Sequence, residues 1–159
     1  MGRADKNAIS RERLLDEAEA LFAEKGFHAV TVREITRAAH CNLAAVNYYF
    51  GNKQKLYLQV FRERWIPRAR KIQADFRSAL SAENGRSLTS IVHALATAFL
   101  KGPLTDKERL HHSQLMIREM TVPGLATDML VETRSSNSSL ESWLPCFAPF
   151  WPRKRKGNK

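Results

Sequence analysis

Apolar residues recur three and four apart along most of the chain, and nowhere do they sustain a period of two. From Arg11 to Lys25, the residues Leu14, Leu15, Ala18, Leu21 and Phe22 fall on one face of a helix. Ser10 stands before this run as an N-cap, with Arg13 where a capping-box glutamate would fit better. Gly26 follows as a helix-ending residue, since glycine takes positive φ at little cost. Phe27, Ala29 and Val30 then form a short apolar connector. Thr31 opens a second helix, with Glu34 completing a T-x-x-E capping box and Val32, Ile35, Ala38 and Ala39 on its buried side. His40, Cys41 and Asn42 make a turn, and Asn42 caps a third helix from Leu43 to Tyr49.

A fourth helix starts near Asn52 and runs through Leu56, Val60, Phe61 and Trp65 towards Leu80, with Pro67 inside it to kink or split it. Ser87 to Leu100 carries Leu88, Ile91, Val92, Leu95 and Phe99 at helical spacing. Thr105 and Glu108 form a second capping box ahead of Leu110, Leu115, Met116 and Met120. Pro123 and Gly124 break that helix, and Leu125, Met129 and Leu130 suggest a short one after it. The expected fold class is therefore all-α. After Arg134 the helical period is lost: SSNSS reads as a linker, WLPCFAPFWP is dense in aromatics and prolines, and RKRKGNK is a basic tail. This sets three expected regions: a first helical unit over residues 1–52, a second helical unit over 53–134, and an irregular tail over 135–159.

Charge narrows the partner. The 159 residues carry a formal net charge of +10, which favours a polyanion, with nucleic acid ahead of an anionic membrane surface. Hydrophobic residues make up 43%, enough for a packed core. Cys41 and Cys146 are far apart and form no CxxC pair, which disfavours a zinc site or a disulfide framework and fits a reducing cytoplasm. No apolar run approaches the roughly 20 residues that span a bilayer, and MGRADKNAIS has no apolar core of a secretory signal. The expectation is a cytoplasmic chain without a membrane partner.

Three short helices with a tight turn between the second and third make a helix-turn-helix, whose last helix enters the major groove while the preceding one crosses the phosphate backbone. The stretch AAHCNLAAVNYYFGNK fits that role. Val46 and Phe50 are four apart and face inward, holding the third helix against Leu21, Phe22 and Ile35. Leu43, Ala44, Ala45 and Asn47 then face outward. Alanine methyls suit a thymine methyl, and the Asn47 amide suits adenine. Tyr48 and Tyr49 reach phosphate oxygens, and Lys53 adds a charge-assisted phosphate contact at the start of the fourth helix.

The run ERLLDEAEALFAEKGFHAVTVREITRAA followed by NLAAVNYYFGNKQKLYLQVF closely resembles the DNA-binding domain of TetR-type transcriptional regulators. The resemblance covers about a third of the chain. It implies Thr31 as a backbone contact, Arg33 as a base or phosphate contact, Leu43, Ala44, Ala45 and Asn47 as groove readers, and Tyr48, Tyr49 and Lys53 as phosphate contacts. IREMTVPGLATDMLVE further resembles the C-terminal domain of the CerR (YbiH-like) subgroup. The resemblance implies a ligand-responsive repressor, binding a palindromic operator on double-stranded DNA as a homodimer, with an unknown small-molecule effector in the larger domain.

Departures from that family are plain. His40 stands where glycine is usual, and a positive φ there would cost about 1 kcal/mol; the residue is either a tolerated substitution or an added phosphate donor. The last helices of the family pair two subunits, whereas here the chain stops early and changes composition after Arg134. That resembles a frameshifted or replaced C-terminus, which predicts that another reading frame restores helical periodicity. It also sets an alternative: a DNA-binding module whose defective C-terminal half neither dimerises nor answers an effector. The stripes Ile91/Leu95/Phe99 and Leu115/Met116/Met120 fit an effector pocket or plain core equally. His111 and His112 are adjacent, about 100° apart on a helix, and so poorly placed to share a metal ion. No nucleophile–base pair, phosphate loop or metal-spaced cluster marks an enzyme, and no cofactor is expected.

Overall fold

The structure, a computed structural model, describes residues 3–82, 87–102, 104–121 and 124–127. Every regular element within them is helical: α1 (Arg3–Lys25), α2 (Val32–Ala38), α3 (Ala44–Phe50), α4 (Lys53–Val60), a π-helical turn (Phe61–Trp65), α5 (Ile66–Ala82), α6 (Leu88–Leu100) and α7 (Asp106–Thr121). Among the described residues no helix is long and apolar enough to cross a membrane. The segments from Met129 and Leu130 through WLPCFAPFWP to RKRKGNK, with Cys146, lie outside the described residues.

The periodicity places the core well. Leu14, Leu15, Ala18, Phe22, Ile35, Val46, Leu56, Val60 and Phe61 are fully buried in one cluster, and Phe50 and Tyr57 are nearly so. α4 buries its face in the same core as α1–α3, so the head of the molecule extends through α4 and the π turn. Leu115 of α7 and Ala126 reach the same cluster. A second, smaller cluster of Ile72, Ala98 and Leu104, with Phe76 and Phe99 packed on it, joins α5 to α6.

Local chemistry explains most boundaries. Thr31 caps α2 through a complete box: its hydroxyl accepts from the Glu34 N–H at 3.2 Å, and Glu34 Oε2 accepts from the Thr31 N–H at 2.8 Å. Thr105 and Glu108 repeat the box ahead of α7. Asn52 caps α4 and Ser87 caps α6. Gly26 has φ +83° and closes α1.

Two sequence expectations need correction. Ser10 does not cap the first helix; α1 begins at Arg3 and runs through it. The missing glutamate at residue 13 was the sign that Ser10 lacked a box. The fourth helix does not simply kink at Pro67. It widens into the π turn over Phe61–Trp65, where the Ile66 N–H donates to the Phe61 carbonyl, and Pro67 falls in the first turn of α5. Proline lacks an N–H and crowds the carbonyl four residues back, and the wider turn accommodates it.

Ion pairs bind α1 to the long helix. Arg11 grips Glu63 with two nitrogens, Arg64 Nη2 lies 2.7 Å from Glu12 and 2.8 Å from Asp16, and Arg68 pairs with the buried Glu19. Trp65 Nε1 donates to the His112 carbonyl at 3.1 Å, and its ring stacks on the His112 ring at 4.7 Å.

Candidate nucleic-acid interface

The turn between α2 and α3 is a Schellman closure. The Cys41 N–H donates to the Thr36 carbonyl at 2.8 Å and the His40 N–H to the Arg37 carbonyl at 3.2 Å. That pattern puts the C′ residue in the left-handed region, and His40 has φ +52°. The positive φ that would carry a cost at His40 is present, and the side chain is exposed. The N-cap of α3 is Leu43, without a side-chain cap bond, rather than the expected Asn42, which stands one residue further out with its Oδ1 accepting from the Ala44 N–H at 2.9 Å.

α3 is held by Val46 and Phe50, both buried, while Leu43, Ala44, Asn47 and Tyr48 are exposed. Tyr48 is 74% exposed, the most open aromatic of the head. No residue from Ala38 to Asn52 carries a formal charge, so this face can approach base edges without burying an ion. On α2, Arg33 and Arg37 are both exposed and four apart, a cationic pair on one face. Sequence reasoning named Arg33 and passed over Arg37, although the i, i+4 spacing was there to be read.

Four expected contact residues sit differently from their neighbours. Ala45 is half-buried against the core rather than open. Tyr49 is half-buried, its ring edge-on to Tyr48 at 4.8 Å, and its hydroxyl donates to Asn7 Oδ1 at 3.3 Å. Thr31 is exposed, but its hydroxyl serves the capping box and its N–H donates to Glu34. Those bonds hold the Glu34 carboxyl down to a pKa of about 2, the Thr31 backbone N–H being the largest cause. Lys53 Nζ donates to the carbonyl oxygens of Phe27 at 2.8 Å and Val30 at 2.7 Å. Asn7 and the partners of Lys53 come from distant parts of the chain, and no local pattern announces them.

Behind the head, α7 carries a buried polar knot. Glu119 accepts from the Tyr57 hydroxyl at 2.7 Å through Oε1, and from the Thr127 N–H at 3.0 Å and hydroxyl at 2.8 Å through Oε2. Burial and the neighbouring Glu119 push the Tyr57 hydroxyl well above its ordinary pKa, so it stays a donor. The two stripes with open assignments divide. Leu115 belongs to the main core, whereas Leu95, Phe99 and Met116 line an apolar pocket of about 360 Å³ together with Val92, Leu100 and His112. His111 lies 3.8 Å from Glu19 through Nδ1, and His112 is buried, its pKa lowered to about 4 chiefly by burial.

Residues 14–60 match the family described as "Bacterial regulatory proteins, tetR family". The HTH-type transcriptional repressor AcnR of Corynebacterium efficiens is 39% identical over 59 residues, 37% of this chain and 31% of AcnR. The HTH-type transcriptional dual regulator CecR of Shigella flexneri is 28% identical over 134 residues, 80% of this chain and 58% of CecR. The HTH-type transcriptional regulator BetI of Agrobacterium fabrum is 30% identical over 95 residues, 58% of this chain and 44% of BetI. The chain thus spans between about a third and under two thirds of these relatives. A solved structure of a HlyIIR mutant protein with a GSSGSSG linker aligns at TM-score 0.37 and 20% identity, over 87% of this chain and 81% of that one.

Proposed function

We propose that this chain, which carries a TetR-type domain at residues 14–60, is a DNA-binding transcriptional regulator that acts as a repressor. The observation that carries the reading is α3: a short helix pinned by Val46 and Phe50, with an uncharged face of Leu43, Ala44, Asn47 and Tyr48 open to solvent. Asn47 reads a base edge, Ala44 and Leu43 fit the groove, and Ala45 backs them at the helix root. Tyr48 and Tyr49 meet phosphates, Tyr49 once its hydroxyl leaves Asn7. Arg33 lies on the adjoining helix face, and Thr31 at its N-terminus.

Two such heads on a dimer would span half-sites about 34 Å apart, one turn of a palindromic operator. A small molecule bound among α5–α7 would shift α4 and break that spacing, and operator DNA would weaken the ligand by the same factor. The named relatives support the regulator, and the apolar pocket between α6 and α7 supports the effector.

The test is selection of duplexes from a random palindromic library, with the molar mass read by light scattering. A selected palindrome and a mass of twice 18.1 kDa support the dimeric repressor. A single 18.1 kDa mass with weak, steeply salt-dependent binding supports a module without regulation. Failure to select any sequence defeats the proposal. Asn47→Ala should relax preference at one base position by about 1–3 kcal/mol, whereas Tyr48→Phe should weaken all duplexes alike.

A further inference from the structure

Lys53 occupies the first position of α4, two residues after Gly51 closes α3. Its side chain folds back across the base of the helix-turn-helix. Nζ donates to the Phe27 carbonyl at 2.8 Å and the Val30 carbonyl at 2.7 Å, and it lies 4.3 Å from the centre of the Phe27 ring. All three partners belong to the connector between α1 and α2. Two of the three ammonium hydrogens are thus committed to backbone oxygens, and the aromatic face adds a cation–π contact.

The Val30 carbonyl is half of the peptide group that opens α2. Its other half, the Thr31 N–H, donates to Glu34 Oε2 in the capping box. One peptide group is therefore held on its oxygen side from α4 and on its nitrogen side from α2. The opposite end of the connector is gripped as well. Arg118 of α7 donates Nε to the Ala23 carbonyl at 2.9 Å and Nη2 to the Glu24 carbonyl, both in the last turn of α1. Gly26, at φ +83°, makes the bend between the two grips.

Resting on the DNA-binding reading above, we propose that Lys53 is a positioning residue rather than a phosphate contact. It clasps the connector at the start of α2 to the first turn of α4, and so fixes the helix-turn-helix relative to α4. An ammonium bracketed by two carbonyls is a compact point charge, and a planar guanidinium with its donors in a fixed fork does not reproduce that geometry. The clasp also gives α4 a mechanical hold on the head, because any movement of its first turn draws the connector and the α2 cap with it.

The experiment uses the full chain, with Lys53→Met and Lys53→Arg. Affinity for a selected duplex and for a scrambled one is measured across a salt series, on protein shown folded by circular dichroism and well below its melting temperature. A positioning role predicts that Lys53→Met weakens the selected duplex by roughly tenfold, the size of one mismatched base pair, with the scrambled duplex and the salt slope unchanged. Lys53→Arg should not restore discrimination. A phosphate contact would instead weaken both duplexes alike, lower the slope by about one, and be rescued by arginine; that result overturns the inference. A lowered melting temperature with intact discrimination would mean a purely structural bond, and overturns it too. Should Lys53→Met not fold, Lys53→Arg decides: lost discrimination at constant slope supports the clasp, and wild-type behaviour defeats it. If the wild-type chain itself selects no duplex, the DNA reading falls and the clasp falls with it. If the wild type discriminates and both variants do too, only the clasp falls.

Discussion

The head and the body of this molecule are built to different densities. α1 to α4 and the π turn converge on one continuous core in which Phe22, Phe61, Leu14, Leu15, Ile35 and Leu56 are fully buried. α5 and α6 share a smaller core of Ile72, Ala98 and the following Leu104, with two half-buried phenylalanines, while Leu115 of α7 returns to the first core. On α6 and α7, Leu88, Val92, Leu100, Leu110 and Ile117 are more than half exposed. The contrast teaches where structure and function are coupled. A recognition helix has to be rigid within a fraction of an ångström, and dense packing supplies that. A region that answers small molecules or partners needs apolar surface still open to them.

Breaking one core of each kind is the strongest test of that contrast. Phe22→Ala should cost about 3–5 kcal/mol of unfolding free energy and abolish duplex binding. Phe99→Ala, at a half-buried site, should cost less than half as much. Denaturant titration of both variants checks this, and equal losses would erase the distinction.

Acid should sharpen it next. His112 of the body has its pKa lowered to about 4 by burial and the nearby Arg68, against 6.5 in an unfolded chain. The unfolded state therefore binds more protons between those values, and stability falls as the pH drops from 6.5, levelling out below about 4. The loss should be about 3 kcal/mol, and His112→Phe should flatten it. In the head, Glu34 acts in the same sense but over a lower pH window. Its lowered pKa keeps the α2 capping box intact until the pH falls below about 4.5 and releases it towards 2. Melting curves at pH 7, 5 and 4 should thus show the body weakening before the head.

The smallest effect is expected at the cap. Thr31→Ala removes one acceptor from the start of α2 and should cost about 1 kcal/mol, with a milder loss of duplex affinity than Phe22→Ala. Thermal melts paired with a binding isotherm check it.

How much could be read from the residues follows the same divide. Capping boxes at Thr31 and Thr105, the Gly26 stop and the inward pair Val46 and Phe50 are local or periodic features, and all stand in the structure as expected. The start of α1 was missed because Ser10 mimics a cap while Ala4 and Lys6 are ordinary helix formers. The Lys53 bracket, the Asn7–Tyr49 bond and the Trp65–His112 stack were not legible. Each joins residues that only the folded chain brings together, and two of them use backbone carbonyls that every residue possesses.

The π turn at Phe61–Trp65 has a consequence in phase. An α-helix advances about 100° per residue, so one residue accommodated in a wider turn re-aims every side chain downstream by that angle. The long helix is thus two helices with separate azimuths, α4 aimed at the head and α5 at α6. Deleting a single residue between Phe61 and Trp65 would straighten the register and swing Ile72 and Ala69 away from their partners. One codon there acts as the dial that sets the body's heading against the head's.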